Sequence, residues 1–167
     1  MNLVIFGPPG AGKGTQSKYI SKKHNMYQLS TGEFLRNEMS KNTTIGKKIS
    51  SVINSGALVS DQIVSDLIEK IISDKKYENR IIFDGYPRNL SQAENLNKLL
   101  SKYNQKINVV IKLKVSLDTI KKRITGRLTC SKCSKIFNEF FSPPPKNKIC
   151  CPDGILQKRD DDNVAVA

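Results

Sequence analysis

The sequence predicts an α/β fold: a P-loop parallel sheet flanked by helices, with further segments attached to it. Three observations lead there. Short apolar, Val/Ile-rich runs alternate with helical patterns of about 10–15 residues, as βαβ units require. A glycine-rich stretch separates the first apolar run from the first helical pattern. Near Gly126 helical periodicity stops while Cys, Pro and Lys rise, marking a distinct subregion over 126–162.

The elements follow in order. Asn2–Phe6 reads as a short buried strand, cut off by Gly7-Pro8-Pro9-Gly10. From Lys13 to His24 the pattern is helical, with Tyr19 and Ile20 expected on the inner face. Gln28–Leu29 is a brief strand, and Ser30-Thr31-Gly32-Glu33 opens the next helix with capping-box spacing. Two amphipathic helices are expected over 43–55 and 61–73, separated at Ser55-Gly56. Arg80–Asp84 is a strongly apolar strand, ended by Gly85-Tyr86-Pro87. Leu90–Tyr103 reads as a helix and Asn108–Leu113 as a further strand. No internal repeat is present.

Composition excludes several classes of protein. The 167 residues match one compact domain, and 38% hydrophobic content supplies a core. No apolar run approaches the roughly 18–20 residues that span a bilayer. Leu3–Phe6 has no basic region before it, so it does not read as a signal peptide. A cytoplasmic location without a membrane partner is the expectation. The net charge of +13 points to something anionic, yet 22 of the 28 basic residues are scattered lysines that also suit a solvated surface. A basic zinc-containing nucleic-acid-binding module is the alternative of a different class. Against it, the eleven aromatic residues form no stacking motif, so no nucleic-acid partner is expected.

Chemistry concentrates first in Gly7-Pro8-Pro9-Gly10-Ala11-Gly12-Lys13-Gly14-Thr15, between a strand and a helix. Glycines let backbone N–H groups turn inward around phosphate oxygens, and the following helix adds free donors and the positive end of its dipole. Lys13 supplies a point charge for the β- and γ-phosphates. The general pattern wants Ser or Thr directly after the Lys; here Gly14 intervenes before Thr15.

GPPGAGKGTQ at 7–16, STGEFLR at 30–36, DGYPRN at 84–89 and KKRITGR at 121–127 occur in that order. Together they closely resemble the adenylate kinases, nucleoside monophosphate kinases of the long-lid bacterial type, over essentially the whole chain. The resemblance implies reversible phosphoryl transfer from Mg-ATP to AMP, giving two ADP, by a monomer, with Mg²⁺ carried by the ATP. It divides the chain into a P-loop core (1–29, 60–125 and 163–167), a helical AMP-binding insert (30–59) and a zinc-binding lid (126–162). Gly10, Ala11, Gly12, Lys13, Gly14 and Thr15 would hold ATP. Of the six arginines, Arg36 and Arg88 would hold the AMP phosphate. Arg123, Arg127 and Arg159 would close on the ATP phosphates and the transferring group, Arg159 also counting toward AMP. Asp84 would hold Mg²⁺ through water, while Thr31, Gly32, Gly85 and Gln92 would line the acceptor base. Thr31 favours AMP, because related pyrimidine monophosphate kinases commonly carry Ala there. Another nucleoside monophosphate kinase, or a GTP-dependent AMP kinase, is the alternative within this class. Gly56 and Gly126 are candidate hinges for the two closing segments.

All four cysteines lie at 130, 133, 150 and 151. Cys130-x2-Cys133 followed at a distance by a second pair is a zinc pattern, in a compartment that is reducing. The second pair is imperfect, since Cys150-Cys151-Pro152-Asp153 puts Asp at the x2 position. Lids of three Cys and one Asp occur in the family resembled. The expected ligands are therefore Cys130, Cys133, Cys150 and Asp153, with Cys151 the alternative fourth, around a structural Zn²⁺. The chain stops at Asp160–Ala167, where the family begins a long helix with a further arginine and then a core strand; a truncated sheet is the expectation.

Overall fold

β-Branched and aromatic residues fill the strands, buried throughout at Ile81–Asp84 but exposed at Val109 and Val110. The computed structural model describes residues 1–40, 47, 61–147, 150–159 and 162, with 36 and 38–40 described by backbone alone. Two compact units result, residues 1–6 with 13–112, and residues 7–12 with 113–167.

The first unit is a four-stranded parallel sheet built from β1 (Asn2–Phe6), β2 (Tyr27–Ser30), β3 (Ile81–Asp84) and β4 (Ile107–Lys112), in the order β2-β3-β1-β4. Between the strands run α1 (Lys13–His24), α2 (Thr31–Ser40), α3 (Asp61–Ile72) and α4 (Leu90–Lys102). Each expected element that falls on described residues is found within a residue of its expected ends. The helix expected over 43–55 and the Ser55-Gly56 break lie outside the described residues. All of β3 is buried, and Phe83 belongs to one core cluster with Val4, Leu29, Ile68, Ile72, Leu96 and Leu100. Burying each such side chain contributes about 1.5–3 kcal/mol.

Caps follow the sequence signals. Ser30 Oγ accepts the Glu33 N–H at 3.4 Å, and Asn89 Oδ1 accepts the Gln92 N–H at 2.8 Å. One expectation for α1 is corrected. Tyr19 is 62% exposed, with Lys23 Nζ 5.9 Å from its ring centre. The residue that α1 buries is Ser17, with Ile20 half-buried one turn on. At about 100° per residue Tyr19 points away from Ser17, and a small residue at the contact lets helix and sheet approach closely.

The far end of the sheet is held by a polar network. The fully buried Asn2 side chain donates from Nδ2 to Gln105 Oε1 (3.1 Å) and Lys106 O (3.2 Å), and its Oδ1 accepts the Ile81 N–H (3.1 Å). Gln105 in turn accepts from the Asn79 N–H at 3.0 Å and donates to Ile72 O at 2.9 Å. β1, β3, the chain before β4 and the end of α3 are thus tied at one place.

The second unit contains α5 (Leu117–Thr125) and an antiparallel sheet of β5 (Arg127–Cys130), β6 (Ile136–Asn138) and β7 (Leu156–Gln157), in the order β6-β5-β7. The sequence reading has no element between 113 and 126. There Ser116 caps α5, its Oγ accepting the Thr119 N–H at 3.4 Å, and the helix buries only Ile120 and Ile124. A stripe of two residues is too sparse to register as periodicity. Gly126, a candidate hinge, is required for a different reason: a Cβ there would lie 2.6 Å from the Phe140 ring.

Asn2→Ala leaves the Ile81 N–H and the Gln105 amide without their buried partner. Urea unfolding is expected to show a loss of about 2–3 kcal/mol; a loss below about 0.5 kcal/mol, the size of an ordinary surface change, would show the network is dispensable.

Candidate active site

Ile5 of β1 and Ser30 of β2 both stand in register with Asp84 of β3, so the chain leaves all three strands at one edge. That carboxyl edge is where α/β sheets gather ligands. Asp84 is buried there, its Oδ2 accepting from Gln28 Nε2 at 2.7 Å. A Cβ at Gly14 would lie 3.6 Å from the same oxygen, which places the carboxylate against the first turn of α1. Hard cations take carboxylate and water oxygens. An oxygen-only donor fixed beside a helix N-terminus fits a water-mediated Mg²⁺. Lys13 heads α1, and Thr15 is exposed in its first turn.

The turn after β3 builds a second constellation. Gly85 has φ +83°, a conformation that favours glycine, and a Cβ on it would meet Thr31 Oγ1 at 3.2 Å. Its carbonyl accepts from Thr31 Oγ1 at 3.1 Å and from Arg88 Nε at 2.9 Å. The Arg88 N–H donates to Gln92 Oε1 at 2.7 Å, and Gln92 Nε2 donates to Asp61 Oδ1 at 2.6 Å. Tyr86 donates its hydroxyl to Gln92 O at 3.1 Å, and burial pushes that phenol above its ordinary pKa. A polar cleft of about 280 Å³ is lined by Asp61, Ser65, Tyr86, Gln92 and Asn95, among others. Thr31, Gly85, Arg88 and Gln92 are thus brought together. Gly32 follows Thr31 in α2, and Arg36 lies on the same helix with only its backbone described.

In the second unit the loop 7–12 is shaped by its glycines. Gly10 has φ +75°, and a Cβ there would sit 2.9 Å from Ile124 Cγ1, so both backbone and packing demand glycine. The Ala11 N–H closes a turn onto Pro8 O at 3.1 Å. Ala11 O accepts from Arg123 Nη1 at 2.9 Å, which brings that guanidinium to Gly12. Arg127 grips Asp162 with both Nε and Nη2, the Nε contacts being 3.0 and 2.9 Å. The Arg159 N–H reaches Asp162 Oδ2 at 3.4 Å. Asp162 therefore organises two of the expected phosphate arginines.

The sulfurs of Cys130, Cys133, Cys150 and Cys151 lie within 4.8 Å of one another. Cys133 and Cys150 are 3.2 Å apart, and Cys130 and Cys151 are 3.6 Å apart. Sulfurs around a tetrahedral zinc, with Zn–S near 2.3 Å, stand about 3.8 Å apart, so the four thiols fit the ion with small adjustments. Asp153, the expected fourth ligand, is placed elsewhere: its side chain is 84% exposed and pairs with Lys132 Nζ at 2.9 Å. The turn from Cys151 to Gly154 wraps the sulfurs, a Cβ at Gly154 falling 2.6 Å from Cys130 Sγ, and carries Asp153 outward. Cys151 takes the fourth place in the cluster. Backbone N–H groups of Cys133 and Lys132 lower the Cys130 thiol to about 6, and a hydrogen bond with Cys133 pushes Cys150 up to about 12.

Gln28, Asp61, Tyr86 and Asp162 are site residues that sequence reasoning missed. Asp162 had a signal, the Asp160–Asp162 cluster, and Tyr86 lies in the DGYPRN motif with its partner six residues on; Gln28 and Asp61 become visible only through partners distant in the chain.

A parallel sheet whose first strand enters a glycine-rich loop and whose third ends on a buried carboxylate, with Arg88 in the turn that follows, defines the P-loop nucleotide-binding class. A family model described as Adenylate kinase matches residues 5–166. The chain belongs to the adenylate kinase family. It is 50% identical over 166 residues to an adenylate kinase of Pelagibacter ubique, covering 99% of this chain and 78% of the relative. For an adenylate kinase of Archaeoglobus fulgidus the identity is 42% over 164 residues, covering 97% of this chain and 75% of the relative. For one of Erythrobacter litoralis it is 41%, covering 98% and 77%.

The thiol geometry makes a prediction. Cys151→Ser is expected to abolish stoichiometric zinc by elemental analysis and to lower the melting temperature, whereas Asp153→Ala keeps the metal. The reverse pattern would assign the fourth position to Asp153.

Proposed function

We propose that this chain catalyses reversible phosphoryl transfer from Mg-ATP to AMP, giving two ADP. The observation that carries the reading is the second phosphate system: Arg88 and Thr31, joined through the Gly85 carbonyl, line one small depression with Tyr86 and Gln92, in a chain that also has a phosphate loop. A nucleotide hydrolase has no use for that acceptor constellation.

The attacking group is a phosphate oxygen, already ionised at neutral pH, so no general base is needed. Catalysis is positioning and neutralisation of charge spread over many oxygens. The amides of Gly10–Thr15 and the Lys13 ammonium hold the donor phosphates, and Arg123, Arg127 and Arg159 close on them. Arg36 and Arg88 hold the acceptor phosphate, while Thr31, Gly32, Gly85 and Gln92 receive its base. Asp84 is the residue that would hold Mg²⁺ through water, and the ion would supply neutralisation of the charge that develops on the phosphates. Segments 30–59 and 126–162 act as acceptor insert and lid, excluding water that would otherwise take the phosphoryl group. The four lid thiols hold a structural Zn²⁺. A cytoplasmic monomer completes the reading, resting on the family resemblance.

A coupled assay crossing ATP and GTP as donors with AMP, GMP, CMP and UMP as acceptors tests it. Preference for ATP with AMP is expected, and Arg88→Ala should lower kcat/KM about 100-fold or more, as loss of a preorganised charge contact does. Preference for any acceptor but AMP would overturn the reading.

A further inference from the structure

We propose that Asp61 is a specificity-determining residue, fixing the side-chain amide of Gln92 in the one orientation that accepts adenine and refuses guanine. The inference rests on the reading above that Gln92 faces the acceptor base.

A glutamine amide has two ends of almost the same shape, so an unrestrained one can turn over and offer either donor–acceptor order. Gln92 is not unrestrained. It is 4% exposed in the first turn of α4, and each end meets a partner of one polarity only. The Arg88 backbone N–H can only donate, and it faces Oε1 at 2.7 Å. The Asp61 carboxylate can only accept, and it faces Nε2 at 2.6 Å. Turning the amide over would set its oxygen against the carboxylate and its N–H groups against an N–H. Both hydrogen bonds would be lost and two repulsions gained at the buried Gln92 amide, although Asp61 itself is exposed and the two contacts are part-buried.

The pinned amide keeps one further N–H and one further lone pair. Adenine presents the acceptor N1 beside the donor N6 amino group. Guanine presents the acceptor O6 beside the donor N1–H, which is the opposite order. For a purine seated in one orientation, the direction of the amide decides which base is matched. Recognition by paired polar groups discriminates strongly because the wrong base leaves buried groups unmatched.

Asp61 suits this role because it opens α3 and touches Gln92 from a separate element. The α3–α4 contact does not depend on it alone: Asn95 Nδ2 donates to Ser65 Oγ at 2.8 Å, and Val64 and Ile68 are buried.

The test measures kcat/KM for AMP and GMP with ATP as donor, together with AMP and GMP binding by equilibrium dialysis without donor. Asp61→Asn, whose amide can turn together with that of Gln92, and Asp61→Ser, which removes the carboxylate, are compared with Asp61→Glu, which keeps an acceptor-only group. For the Asn and Ser variants the AMP:GMP ratio should fall about tenfold or more in both measurements, with the KM for ATP unchanged and a single cooperative melt retained. The Glu variant should retain most of the discrimination. An unchanged ratio in folded Asn and Ser variants of an AMP-preferring enzyme overturns the role of Asp61 alone. A parent enzyme that does not prefer AMP overturns the acceptor reading and this inference with it.

Discussion

The parallel register of β2, β3 and β1 is the constraint on which the first unit's chemistry depends. Side chains alternate faces along a strand, so a slip of one residue would turn Asp84 to the opposite face. The register aligns Ile5, Ser30 and Asp84 at one edge, and it is pinned at the other edge by the Asn2 network. Asn2 Oδ1 binds the Ile81 N–H, three residues before Asp84 on the same strand. With about 3.3 Å of rise per residue, a buried amide sets the position of a carboxylate about 10 Å away.

Charge is held by a consistent device. A guanidinium has five donors in a rigid fork, and tying one to a backbone carbonyl orients the group without cancelling its charge. Arg88 is tied to Gly85 O and Arg123 to Ala11 O in this way. Lysine could not serve as well, because its ammonium sits on a flexible stem with no plane to orient. Arg127 departs from the pattern, since the buried Asp162 carboxylate balances it. In the proposed function, Arg127 would exchange that carboxylate for phosphate oxygens.

Legibility followed the range of the interactions. Strands β1 to β4 were readable because apolar runs bounded by Gly and Pro are local signals, and Ser30 was readable as a cap because its partner is three residues away. The face of α1 was misread at Tyr19, which is exposed, while Ser17 is buried with Ile20 half-buried beside it. α5 was invisible because two buried isoleucines carry little periodicity. At the site, Gly10, Arg88 and Gln92 were readable from motifs. Gln28 and Asp61 were not, because each acts through a partner 56 or 31 residues away. The thiol cluster was legible, but its fourth member turned on the path of a four-residue turn that spacing does not encode.

The second unit shows why a thiol cluster belongs where it does. Strands of four, three and two residues cannot hold together by their ladders alone. Their buried apolar content is also thin: Cys130 and Phe137 are buried, while Phe140, Phe141 and Ile155 remain exposed. Small structures with so little core depend on cross-links or metals. The four sulfurs come from the turn after β5 and from the segment before β7, so an ion joining them would close the sheet across its widest gap in sequence. The same turn that gathers the sulfurs releases Asp153 to pair with Lys132 at the surface. A metal there would order the short sheet at the end of β5, the strand that runs from Arg127 to Cys130.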